Sequence, residues 1–200
     1  MKNRMLLRVG LACAGLIVGF RAWAGPPAIC HPIEIGAAQS LAWRSGTDFN
    51  LADPSYDLSR LSTDTLSLLG PATRIPVRME TLRRAAIYSA KDPYLSFDLA
   101  MRLMARAMDF ESAGKLDAMA WFDAGYFVET LKQAALVYKW NMLSPSQRQA
   151  WGLKEEIAGI DGFQWVLKAM RIAGDSKDFR YALSLIDFER EKRRVSAAVR

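Results

Sequence analysis

Two adjacent residues, Cys30 and His31, carry most of the reactive chemistry this chain can offer. His31 is its single imidazole, and the one other thiol is Cys13. Such a pair admits a nucleophile, a metal ligand or an intermolecular disulfide. Neighbouring side chains diverge in an extended segment, so the two do not readily form a thiolate–imidazolium dyad by themselves. A structural zinc site needs four ligands, normally Cys and His, and adding Glu34 still leaves the count short. Covalent haem attachment would need a cysteine where the chain has Pro27. No metal and no cofactor is therefore expected. The plainer alternative is a small buried thiol and a capping or surface imidazole that pin this segment to the rest of the protein.

Two carboxylates, Asp123 and Glu129, fall in an almost wholly apolar stretch. As an acid–base pair they would do proton transfer, but six residues of helix set them about 120° apart, so they do not face one site. Buried carboxylates need partners, and Arg78, Arg83 and Arg84 upstream can supply them as structural ion pairs. Met101, Met104 and Met108 share a helical face; thioethers bind Cu(I), but their commoner use is to fill a core, and these are expected there. Trp43, Trp140 and Trp151 serve equally as partner contacts or as core. No Gly-rich phosphate loop, Gly-x-Ser-x-Gly elbow, His-Glu-x-x-His or calcium loop occurs. A Ser-His-Asp triad would have only His31 as its base.

The elements that must position these residues begin after an address. Lys2 and Arg4 precede the uncharged run Val9–Phe20, and Ala22-Trp23-Ala24 supplies small residues before Gly25. This is the secretory pattern, with cleavage expected after Ala24 and export by the general secretory route. The destination would be periplasmic or secreted. The formal charge of +6 on 200 residues changes meaning accordingly. The first 24 residues hold four bases and no acid, leaving 23 bases and 21 acids, a net of +2. Five bases of the remainder lie within residues 189–200, and residues 25–188 sum to −1. A nucleic-acid surface needs clustered bases on a folded face, so no nucleic-acid partner is expected. Membrane contact would come only through an uncleaved leader or the basic tail.

Residues 25–56, punctuated by Pro26, Pro27, Pro32, Gly36, Gly46 and Pro54, read as an irregular N-terminal arm. From residue 57 to 200 the pattern is helical. Asp57 opens a helix over 58–69, closed by Gly70-Pro71. Pro76 starts the next, to about Ala90, with Glu80 and Arg84 as an i,i+4 pair on its outer side. Asp92-Pro93 starts a helix to about Ala113, whose Asp98, Arg102, Arg106 and Asp109 form an outer stripe opposite Leu99, Met101, Leu103, Met104, Ala107 and Met108. Residues 115–140, apolar almost all round, make the central helix. Ser144-Pro145-Ser146-Gln147 is a capping box, and further helices cover roughly 161–173 and 177–197. The expected fold is all-α: about six to seven helices in antiparallel hairpins, forming an array or bundle.

Trp121, Gly125 and Val128 partly resemble the Trp-x2-Leu-Gly-x2-Tyr start of a tetratricopeptide helix, with Ala124 and Val128 in place of the Leu and the Tyr. The resemblance covers eight residues and implies helical-hairpin packing. A second similarity links residues 85–93 to 168–176, each a helix end, an Asp-containing turn and a new helix. The functional expectation is an exported, non-enzymatic binding module for a protein or cell-envelope component. The alternative is a metal-dependent protein or enzyme with a site around Cys30 and His31 closed by the arm. Under that alternative the pair must share a concave pocket with Asp123, Glu129 or an arginine.

Overall fold

Turn and cap residues set the ends of the helices. A computed structural model describes residues 25–46, 48–90, 92–141 and 155–188. The expected leader, the Ser144–Gln147 capping box, Trp151 and the basic tail lie outside these residues, and so does the side chain of Trp140. The described residues form an all-α fold: α1 Pro27–Cys30, α2 Leu61–Leu68, α3 Ile75–Ser89, α4 Pro93–Ser112, α5 Ala118–Asn141, α6 Glu155–Ala158, α7 Gly162–Ala173 and α8 Lys177–Ile186. Asp92 caps α4 by accepting from the Tyr94 and Leu95 N–H groups, and Asp117 caps α5 through Met119 and Ala120. Asp161 and Ser176 do the same for α7 and α8. Prolines occupy the first turns of α3 and α4, where no N–H is needed. Beyond α4, Gly114 takes φ +71°. Its N–H bonds the Glu111 carbonyl while the Lys115 N–H bonds that of Phe110, which closes the helix as a Schellman motif.

Two boundaries differ from expectation. The first turn of the 58–69 helix is a 3-10 turn, Leu58–Arg60, because Asp57 accepts from both the N–H and the hydroxyl of Ser59 and tightens the chain there. Leu58 is consequently exposed. The arm also contains one helical turn, α1, so Ile29 is helical and fully buried where irregular chain was expected.

The central position of α5 follows from its sequence. With apolar residues on every face, it packs against α1, α3, α4, α7 and α8. Phe122 stacks on Tyr126 and meets Phe179 edge to face. Met79 and Leu82 from α3, Leu99 and Leu103 from α4, and Val166 and Ala169 from α7 complete the core. Where α5 crosses α7, Gly125 and Gly162 face each other so closely that a methyl on either would collide with the carbonyl oxygen of the other. Trp121 and Trp165 pack edge to face beside this crossing, so two residues of the tetratricopeptide-like segment serve a helix crossing. None of the described helices is long and apolar enough to cross a membrane.

Helix α4 keeps Arg102 and Asp109 on its exposed side and Leu99, Leu103 and Ala107 inward, as expected, but departs from expectation at two of its methionines. Two residues of its charged stripe reach α2 and its end: the Ser62 hydroxyl donates to Asp98, and Arg106 donates to the Leu69 carbonyl. Leu99, Leu103 and Ala107 are buried against α5, while Met101 and Met108 come out to solvent at 40% and 57% exposure. Polar bonding to α2 outweighs the burial of two flexible thioethers, so only Met104 of the three is partly packed against the core.

Candidate functional site

Glu80, Arg83 and Arg84 follow one another at i, i+3 and i+4 on α3, which sets them on one face. That face is not the outer one expected for Glu80 and Arg84. The arm lies across it, and Glu80 is 1% exposed. The Glu80 carboxylate receives both Arg83 Nε (2.8 Å, at Oε2) and Nη2 (2.9 Å, at Oε1). Oε1 also receives Arg84 Nε at 2.7 Å, and Oε2 the Ile33 N–H of the arm at 2.9 Å. Burial pushes this carboxyl up, but Arg83, the Ile33 N–H and Arg84 together hold it below its usual range. The guanidiniums then reach arm carbonyls: Arg83 those of Ile29 (3.1 Å) and Phe49 (2.8 Å), Arg84 that of Leu41 (2.8 Å).

The rest of the arm is seated in the same way. Trp43 lies over both guanidiniums, at 5.2 and 5.4 Å, and meets Tyr88 edge to face. The Tyr88 hydroxyl donates to the Ala42 carbonyl and accepts from the Asp53 N–H. Gln133 of α5 accepts from the Ala28 N–H and donates to the Leu185 carbonyl, tying the arm to α8. Polar groups buried in this way need such partners, and here each is met by backbone from a distant segment.

Asp123 forms a second buried cluster. Its Oδ2 accepts from Arg78 Nη1 at 2.5 Å, with Arg106 Nη1 3.8 Å away. Arg78, fully buried, also donates to the carbonyls of Leu69, Gly70 and Thr73 and so fastens the α2–α3 turn. Burial pushes the Asp123 carboxyl up to about 7 against the pull of Arg78 and Arg106. Glu129 stands apart from this cluster: its Oε1 accepts from Lys132 Nζ and from the Gly162 N–H, both at 2.8 Å, at the start of α7. The Lys132 ammonium also donates to the Ile160 carbonyl.

The structure thus joins Asp123 to Arg78 and Trp43 to Arg83 and Arg84. It does not bring Cys30 and His31 to Asp123 or Glu129. Cys30 ends α1, half-buried, and desolvation raises its thiol despite the nearby Arg83 charge. His31 is exposed, with Nδ1 3.3 Å from the Pro27 carbonyl. Glu34 is exposed and accepts from the Gly36 N–H. Among the described residues no group of three or more His, Cys, Asp or Glu side chains gathers as a metal site requires. Sequence reasoning placed Glu80 in an outer pair with Arg84 and passed over Gln133. A carboxylate followed by arginines at i+3 and i+4 was the available signal for Glu80; nothing in the sequence marks Gln133.

Fold and site together define an all-α protein whose N-terminal arm is held down by buried Arg83 and half-buried Arg84. No protein-family model matches the chain, and no curated protein or solved structure matches it.

Proposed function

We propose that the chain is an exported, non-enzymatic binding protein whose partner is a protein of the cell envelope. The observation that carries this reading is the outward row on α4. Met101 and Met108 stand seven residues apart on its solvent side, with Tyr94 another seven before them, at 40%, 57% and 73% exposure. A seven-residue spacing makes a nearly straight apolar seam about 20 Å long, the form that a partner helix recognises. Methionine and tyrosine are favoured contact residues because they offer a large apolar area with an adaptable or half-polar character. Glu80, Arg83 and Arg84 are meanwhile paired with one another, as Asp123 is with Arg78. The leader pattern of residues 1–24 supports export.

A photo-crosslinking side chain at Met108 tests the reading in cells. We expect a defined adduct in the envelope fraction, on a chain whose mass begins at Gly25. Adding Met101→Glu abolishes the adduct and leaves the helical circular dichroism unchanged. An adduct indifferent to that charge, or a chain retained inside the cell with its leader, would sink the proposal.

A further inference from the structure

A groove runs between α2 and α4, on a different side of α4 from Met101 and Met108. Its volume is about 550 Å³, within the range of small-molecule sites. Leu66, Ala105, Phe110 and Ala113 line it with carbon. Arg102, Arg106 and Lys115 bring three positive charges, and Asp109 is the one acid in the lining. The spacing is helical: Arg102, Arg106, Phe110 and Ala113 follow at i, i+4, i+8 and i+11 and share a face. Lys115 belongs to this set because the Gly114 turn folds it back at the end of α4.

The donors are held but not used up. Arg106 is anchored from behind by the Leu69 carbonyl at 3.0 Å, with its Nη1 3.8 Å from Asp123, which leaves its Nε without a hydrogen bond among the described residues. Arg102 gives only its Nε to Asp98 and keeps both terminal nitrogens. The Lys115 ammonium makes no hydrogen bond or ion pair among the described residues, and neither does the Asp109 carboxylate. A basic rim above an apolar floor matches a ligand with one anionic end and a hydrocarbon body. The planar arginine forks suit a carboxylate.

We infer that the α2–α4 groove binds a long-chain carboxylate as a single molecule, its head on Arg102, Arg106 and Lys115 and its chain over Leu66, Phe110 and the two alanines. The inference goes beyond the binding-protein reading and uses another face, so either can fail alone. The test is titration of the full chain with oleate below its aggregation limit, in parallel with oleyl alcohol, inorganic phosphate and vesicles of anionic phospholipid. We expect saturable binding of oleate at one site per chain. Arg102→Gln with Lys115→Gln, two exposed positions, weakens it at least about tenfold, the effect of losing charge-assisted bonds. Lys115→Arg retains it. Equal binding of the alcohol, binding of phosphate or vesicles but not oleate, or an unaffected double variant overturns the proposal.

Discussion

Asp123 has lost all its water and kept one firm partner. Oδ2 faces the Arg78 guanidinium, while Oδ1 is buried without a hydrogen bond among the described residues. Oδ1 is therefore the oxygen on which a proton removes an uncompensated charge without disturbing Arg78. The sign of the pH effect follows. The native value, about 7, lies above the ordinary 3.8, so between these limits the folded chain binds more protons than the unfolded one. The stability this group contributes is complete below about pH 4 and is lost as the pH rises through about 7. Glu80 works in the opposite sense: with its native value depressed, its contribution is present above the ordinary range and lost as the pH falls through that native value. Asp123→Asn keeps an oxygen for Arg78 and removes the titration. Urea midpoints of the natural chain and of this variant, taken at pH 4.5 and pH 8, isolate the effect, since Glu80 is common to both. We expect the natural chain to lose more stability than the variant on going to pH 8. An equal loss would mean that Asp123 is ionised across the whole interval.

At the scale of the element, α3 acts as a clamp because three of its charges are buried together. Replacing Glu80 by Gln leaves two guanidiniums, one of them fully buried, without a counter-charge. Breaking a buried pair from one side costs about 3–5 kcal/mol, so Glu80→Gln should lower stability by about 3 kcal/mol. It should also open residues 34–60 to limited proteolysis; a variant as resistant as the natural chain would show that the arm is held by apolar contact alone. The ends of α3 and α4 are legible in the sequence because proline and aspartate act locally, through one or two bonds within a turn. So is the central place of α5, since no other arrangement hides so many apolar residues. The seat of the arm is not legible, because it depends on the carbonyls of Ile29, Leu41 and Phe49, and carbonyls carry no residue signature. For the same reason Glu80 and Arg84 read as a solvent-facing pair, and the exposure of Met101 and Met108 could not be foreseen without the Leu69 carbonyl that holds Arg106.

The whole molecule behaves as one unit if the arm is part of its core. Two of the arginines that make the chain look basic, Arg78 and Arg83, are fully buried and paired with carboxylates, so they add little to the surface field. They serve instead to join the arm, the α2–α3 turn and α5. A segment held by buried side chains opens only when those side chains do, whereas one held by exposed bonds opens by itself. The arm contains both kinds of amide. Those of Ala28 and Ile33 bond to buried Gln133 and Glu80, while those of Gly36 and Asn50 bond to exposed side chains two residues away. Hydrogen exchange should therefore protect Ala28 and Ile33 to the level of the α5 core and leave Gly36 and Asn50 exchanging orders of magnitude faster. In Glu80→Gln, the protection of Ile33 should fall below that of the core while Ala28, tied through Gln133 to α8, keeps pace with it. If Ala28 and Ile33 exchange as fast as Gly36 in the natural chain, the arm is a separate layer on a helical body that folds without it. The buried arginines would then be stabilised from within that body rather than by the arm.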